Sequence, residues 1–407
     1  MGDRVILHCD MNSYFASVEC IARPELRVVP MAVCGDPESR HGIILAKNEY
    51  AKKFGVVTAE TVWQAKRKCP QLTLVAPHRE MYQYYYELVN SIYGEYTDQV
   101  EAFSIDESWL DVTGSTRLFG DGKQIADELR RRVREELQLS ISVGVSFNKV
   151  FAKLGSDYRK PDATTVITRE NFREILFPLP VRDMLFVGAS AAEALRIKGI
   201  QTIGDLANAS PDCLRGILGR MGDMLWAYAN GMDDSPVRRQ GEEDPAKSIS
   251  NSITFPRNLE GEEDMKTGLL MLADSVGARM RAHHVEGYTV QVQIKSPELK
   301  VISRQETLKT PTCITKEIYQ TAMNIVRRSW DMKRPVRMLS LGCTNFASPG
   351  APVQLSLFEQ KEDDQRERQA RLESTVDAIR RRFGAGSIGF GQVMKTDMEA
   401  APGKKDG

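Results

Sequence analysis

Residues 100–112 alternate as a β-hairpin does, with Val100, Ala102, Phe103, Ile105, Trp109, Leu110 and Val112 around Ser104, Asp106, Glu107 and Ser108. Within that run the pair Asp106-Glu107 constrains the fold more than any other feature. Adjacent carboxylates in an otherwise apolar hairpin repel each other and cost desolvation. A fold tolerates them at a solvated hairpin tip, or beside a cation. Magnesium takes oxygen ligands and commonly binds one or two carboxylates plus substrate phosphates. Two such ions about 3.5–4 Å apart stabilise the attacking and leaving oxygens of an in-line phosphoryl displacement. Spacing alone leaves both readings open. Asp10 closes the apolar run Arg4–Cys9, where an Asp is also common as a turn residue.

Around this hairpin the pattern predicts an α+β layer with helices on one side of a sheet. Arg4–Cys9 reads as a buried strand, Ser13–Cys20, 58–69 and Met81–Tyr96 as helices, and Asp121–Leu137 as an amphipathic helix with a basic face. A strand, Ser140–Val145, and a helix, Lys149–Tyr158, follow. Residues 166–232 read as short helices punctuated by glycines, and polar 233–246 with two prolines as a linker. A second α+β unit spans 247–346, with strands at 248–255, 287–295, 300–308 and 336–346 and helices at 262–284 and 312–330. Beyond Pro349 the chain is polar, apart from Gln354–Phe358.

Fifty-five basic side chains balance 55 acidic ones, which on its face argues against a nucleic-acid binder. Resolved by position, residues 1–122 hold 12 basic and 17 acidic groups, whereas 295–337 hold 10 and 4. That disposition suits a chain holding cations at one end and a polyanion along another. The seven cysteines are scattered and form no C-x-x-C, as expected of a cytoplasmic protein. No apolar run approaches the roughly 18 residues of a membrane span, so no membrane role is expected. The five histidines show no metal-ligand spacing.

Three stretches in order then carry a resemblance: Asp10-Met11-Asn12-Ser13-Tyr14-Phe15-Ala16-Ser17-Val18-Glu19, Ser104-Ile105-Asp106-Glu107, and Gly144 to Asp157 continuing to Lys160-Pro161-Asp162. Together they closely resemble the motifs of Y-family DNA polymerases, nearest the bacterial DNA polymerase IV type. The likeness implies an α+β, multidomain right-hand polymerase. Palm would occupy 1–15 and 72–165, fingers 16–71, and a helical thumb 166–232 with a helix–hairpin–helix at 183–206. A linker at 233–246, an α+β little finger at 247–346 and a tail at 347–407 would complete it. The implied activity is template-directed, error-prone DNA synthesis from dNTPs in translesion synthesis and repair. All 407 residues are taken up by these parts, so no proofreading exonuclease is expected.

By the same resemblance Asp10, Asp106 and Glu107 are the catalytic carboxylates, binding two Mg²⁺ per active site with the Met11 carbonyl as a further ligand. Phe15 matches the steric gate, a ring that would clash with a 2′-hydroxyl. Tyr14 would contribute its backbone N–H and ring near the triphosphate, and Lys160 would pair with triphosphate oxygens. Lys153 reads equally well as a solvated charge. Where many relatives carry a tyrosine and, three residues later, an arginine, this chain has Glu49 and Lys52. Lys52 keeps the charge without bidentate geometry, and Glu49 would repel a triphosphate unless it turned away. The thumb hairpin keeps only Gly188 before Ala189-Ser190, which weakens its expected phosphate contact. Lys295, Lys300, Arg304, Lys309, Arg334 and Arg337 mark the little finger as a grip on primer–template DNA. Gln354, Leu355, Ser356, Leu357 and Phe358 match the bacterial sliding-clamp motif, which would tether a monomeric enzyme. A clamp-tethered DNA binder without catalysis and a nucleotide cyclase are the rival readings.

Overall fold

The first apolar run forms β1 (Ile6–Met11), buried along its whole length. It outruns the expected end, so Asp10 lies inside the strand instead of at its turn. The structure, a computed structural model, describes residues 3–37, 42–242, 245–347 and 360–393. The chain forms two compact units, Met1–Glu243 and Asp244–Gly407.

In the first unit, α1 (Tyr14–Ala22) follows β1 directly. The next stretch builds a small separate sheet from β2 (Met31–Cys34), β3 (Ile44–Lys47) and β4 (Thr73–Val75), in the order β3-β2-β4. Two short helices, α2 (Glu49–Lys53) and α3 (Val62–Lys68), accompany it. The sequence pattern missed these strands and α2. β4 pairs with β2, so this sheet draws on residues past position 71. Then come α4 (Arg79–Gly94), the hairpin of β5 (Val100–Ala102) and β6 (Glu107–Asp111), and the single turn α5 (Thr116–Phe119). After them run α6 (Gly122–Leu137), β7 (Ile141–Ser146), α7 (Lys149–Tyr158) and β8 (Thr164–Val166). The main sheet has the order β5-β6-β1-β7-β8, with β1 in the middle and antiparallel to both neighbours.

Helices cover both faces of that sheet, against the one-sided expectation. Leu7, Cys9 and Met11 face α4 and α6, whereas Ile6 and His8 face α7. A strand apolar on successive residues is buried on both sides. α7 lies almost on the backbone of β7: a Cβ on Gly144 would stand 1.9 Å from the Ala152 carbonyl and 2.5 Å from the Ser156 nitrogen. Gly144→Ala should therefore cost roughly 3 kcal/mol or more, since relief requires lifting a whole helix. Urea denaturation reads this, and an unchanged midpoint would show that α7 yields freely. The basic face of α6 is locally cancelled: Arg131 pairs with Glu128 and Glu135, Arg132 with Glu95 and Glu136, and Arg130 and Arg134 with Asp162.

Helices α8 (Phe172–Leu176), α9 (Ala189–Ile197), α10 (Ile203–Asn208), α11 (Pro211–Leu218) and α12 (Arg220–Ala229) share one core that also includes Phe147 and Phe151. The expected linker is bound over most of its length. Arg4 donates to the carbonyls of Asp233 and Ser235, Gln99 to that of Val237, and the Gln240 N–H to that of Asp98. The buried Glu101 carboxylate also accepts from Lys149 Nζ (2.7 Å) and from the Arg238 N–H (3.0 Å).

The second unit is an antiparallel sheet of β9 (Ser248–Leu259), β10 (Gly287–Lys295), β11 (Val301–Thr312) and β12 (Val336–Phe346), ordered β11-β10-β12-β9. One face carries Val290, Val292, Ile294, Leu339 and Leu341 into a core with α13 (Gly261–Ala282) and α14 (Thr315–Ser329). Register puts Ser248, Ser250, Ser252 and Thr254 on the other face, with Gln291, Gln293, Lys295 and Ser340. That face bears hydroxyls and amides more than the expected charge. Within the stretch expected as a polar tail, α15 (Gln360–Phe383) forms a helix that packs on this unit. Arg281 pairs with Glu373 and Asp377 at 2.6 Å each, Arg380 with Asp274 at 2.8 Å, and Arg366 with Glu317 at 2.7 Å. Residues Gln354–Phe358 lie outside the described residues.

Candidate active site

The sheet register assembles the carboxylates. Asp10 on β1 stands directly opposite Glu107 on β6. Like charges so placed destabilise a sheet unless something neutralises them. Burial first, then the Glu107 carboxyl, push the Asp10 carboxyl up to about 7, while Lys160 pulls the other way. Two lysines answer this charge. Lys160 Nζ bonds Asp10 Oδ2 at 2.7 Å and Asp157 Oδ1 at 2.8 Å, and Lys153 Nζ bonds Glu107 Oε1 at 2.7 Å. Burial works against charge on Lys160, but Asp10 and Asp157 outweigh it and raise its pKa. The open choice for Lys153 thus resolves: its side chain is mostly buried, on the carboxylates.

Asp106 joins the site through its backbone. Its carbonyl accepts the Met11 N–H at 2.9 Å, while its carboxylate accepts the Ser104 hydroxyl at 2.6 Å. Among the described residues no three His, Cys, Asp or Glu side chains gather as a metal cluster. Two carboxylates converge and the third is one residue away. The donors are all oxygen, and two carboxylates that burial and mutual repulsion make costly to ionise face each other here. That chemistry fits a hard divalent cation. His8, two residues before Asp10, is buried with Nδ1 2.8 Å from Ser156 Oγ. Burial, then Lys153 and Lys160, hold it neutral.

Beside the carboxylates, α1 starts at Tyr14 from a left-handed Ser13 (φ 49°) with no side-chain cap. Its first-turn N–H groups therefore lack a side-chain acceptor, the arrangement that receives anions at helix starts. The Tyr14 ring is buried and its hydroxyl donates to the Tyr82 carbonyl at 2.5 Å, so the ring is not available to a triphosphate. Only its backbone is. A cleft of about 330 Å³ next to this helix start is lined by Asn12, Ser13, Asn48, Glu49, Tyr50 and Pro161 among others. It brings the α2 region against the residue after Lys160. Lys52 is more than half exposed and pairs with Glu49 at 3.6 Å, which offsets the charge that Glu49 brings.

Phe15 is half-buried, its ring stacked on Tyr82 with centroids 4.1 Å apart and planes at 9°. The Tyr82 hydroxyl donates to Glu19 Oε1 at 2.5 Å, and His78 Nδ1 lies 2.8 Å from the same oxygen. Sequence reasoning gave Glu19, His78 and Tyr82 no part in the site. The available signal was a lone acid on a small, apolar helix face, four residues after Phe15.

The impB/mucB/samB family matches residues 9–157, and its C-terminal domain matches 246–357. The DNA polymerase IV of Acetivibrio thermocellus is 48% identical over 96% of this chain and 98% of that one. The DNA polymerase IV of Clostridium kluyveri is 37% identical over 96% and 98%. Among solved structures, the Y-family DNA polymerase chimera Dbh-Dpo4(243-245)-Dbh superimposes with a TM-score of 0.72 at 23% identity, covering 84% of this chain and 98% of that one.

Proposed function

This chain belongs to the Y-family DNA polymerases, in the DNA polymerase IV group, and we propose from that premise how its residues carry out DNA synthesis. It is a DNA-directed DNA polymerase of translesion synthesis and repair, with the fold of palm, fingers, thumb and little finger. The family's chemistry is metal-dependent nucleotidyl transfer, and its substrate is DNA.

The observation that carries the mechanism is the opposition of Asp10 and Glu107 across β1 and β6. Asp10, Asp106 and Glu107, with the Met11 carbonyl, would hold two Mg²⁺, whose chemistry when bound would be to acidify the primer 3′-hydroxyl and offset charge on the triphosphate. Lys160 serves as counter-ion to Asp10 in the metal-free site and pairs with a triphosphate oxygen when nucleotide enters. The uncapped N–H groups at the start of α1 receive further phosphate oxygens. Lys52 approaches the same nucleotide, once released from Glu49.

Phe15 selects the sugar by exclusion. Phe15→Ala should raise ribonucleotide incorporation roughly 100-fold relative to deoxynucleotide, since discrimination by a clash disappears with the clashing atoms. Single-nucleotide extension with dNTP and rNTP reads this ratio, and an unchanged ratio removes Phe15 from the role.

The open face of the second unit holds phosphates through hydroxyls, amides and Lys295, which position DNA without reading sequence. Gln354–Phe358 docks on the sliding clamp, with Leu357 and Phe358 as apolar anchors, and compensates a modest grip by effective concentration. The enzyme acts as a monomer in the cytoplasm. Among the described residues no helix is long and apolar enough to cross a membrane.

A further inference from the structure

We propose that Glu19 is a positioning residue for sugar selection, fixing Tyr82 and through it the ring of Phe15. This rests on the assignment of Phe15 as the sugar-contacting ring.

Glu19 is 1% exposed, on α1 one turn beyond Phe15. An isolated carboxylate in such a place is costly, and it persists because donors surround it. Tyr82 Oη donates at 2.5 Å, and His78 Nδ1 lies 2.8 and 3.0 Å from its two oxygens. The His78 N–H and Arg23 Nη2 approach at 3.4 Å. A carboxylate only accepts, so the facing Nδ1 of His78 carries the proton. Burial, then the hydrogen bond to Glu19, push the Tyr82 phenol well up, which keeps it a donor.

These bonds hold Tyr82 at its far end, while the Tyr14 hydroxyl holds its carbonyl at 2.5 Å. Its ring then has one orientation, nearly coplanar with that of Phe15. A merely structural contact between α1 and α4 needs no buried ion, since apolar packing of the same volume is often as stable. A directional network instead fixes an angle. For a group that works by clashing with one oxygen, that angle sets selectivity. Loosened, Phe15 would rotate away from a 2′-hydroxyl while still accepting a deoxyribose.

The test is pre-steady-state incorporation of matched dNTP and rNTP by the full chain, with thermal midpoints on the same preparations. Tyr82→Phe keeps the stacked ring and removes only its anchor. It should raise rNTP efficiency about tenfold, the worth of a hydrogen bond to a charged group, with dNTP efficiency within about twofold. Glu19→Gln should move discrimination in the same direction. In Phe15→Ala, adding Tyr82→Phe should change nothing further. Wild-type discrimination in both Tyr82→Phe and Glu19→Gln, or a parallel fall for both nucleotides, overturns the inference while leaving the role of Phe15 intact. If Phe15→Ala itself keeps wild-type discrimination, the assignment of the ring fails and this inference with it.

Discussion

Asp106→Ala should reduce template-directed primer extension by about 10³-fold or more, because it removes one of the three carboxylates proposed to hold the cations that take up charge on the transferring phosphoryl group. The fold should hardly notice. The carboxylate of Asp106 makes one hydrogen bond, to the Ser104 hydroxyl at the turn of the hairpin. The structural contact at this position is the Met11 N–H to the Asp106 carbonyl, which alanine keeps. Both lysine pairs, Lys160 with Asp10 and Lys153 with Glu107, also survive. A thermal midpoint within about 2 °C of wild type, as expected for a partly exposed side chain, would place the loss in chemistry. Extension within tenfold of wild type at saturating dNTP and Mg²⁺ would remove Asp106 from the site.

What could be read in the sequence follows from which forces leave a local pattern. The elements around the hairpin were legible because each buries an apolar face with period 2 or 3.6. The same logic failed for α15, whose 24 residues dock through Arg281, Arg366 and Arg380 as well as through packing. Ion pairs with partners 49 to 106 residues away have no period. The strap at 233–242 is held by side chains and backbone groups of Arg4, Asp98, Gln99 and Glu101, and a polar run around Pro236 says nothing of these. Helices on both faces were in principle legible, since Val5 to Cys9 is apolar on both parities save for His8.

In the site, the motifs named Asp10, Asp106 and Glu107 without saying which would touch. Register decides that, and register depends on how β1 aligns with a hairpin nearly a hundred residues on. The charge argument changes for a similar reason. The acidic excess of residues 1–122 includes the carboxylates of the site, yet Lys153 on α7 and Lys160 just beyond it meet them from outside that stretch. The basic face expected on α6 is likewise met by nearby carboxylates. Glu19 showed only as a lone acid on an apolar helix face, because its donor Tyr82 lies 63 positions away.

Asp10→Asn should separate stability from chemistry. Without divalent ions, a carboxylate 5% exposed and opposite Glu107 is a burden on the folded state. Its raised pKa means that between about pH 4 and 7 the folded chain holds a proton the unfolded chain has released, so the burden grows as pH rises through that window. Asparagine never bears it. Lys160 loses one partner in the variant but keeps Asp157 at 2.8 Å, which limits the opposing cost. At pH 8 in chelator, the variant should melt at or above wild type, by about 2–4 °C for a net gain of about 1 kcal/mol. That gap should close towards pH 4. Adding Mg²⁺ at tens of times its dissociation constant should raise wild type by about 2 kcal/mol and the variant far less, reversing the order. Primer extension should meanwhile fall by about 10³-fold or more in the variant. A variant that melts well below wild type in chelator would make Asp10 a structural partner of Lys160, and an equal Mg²⁺ response in both proteins would locate the cation elsewhere. The order of the two midpoints, with and without Mg²⁺, therefore tests whether this strand tolerates Asp10 for the cation it holds.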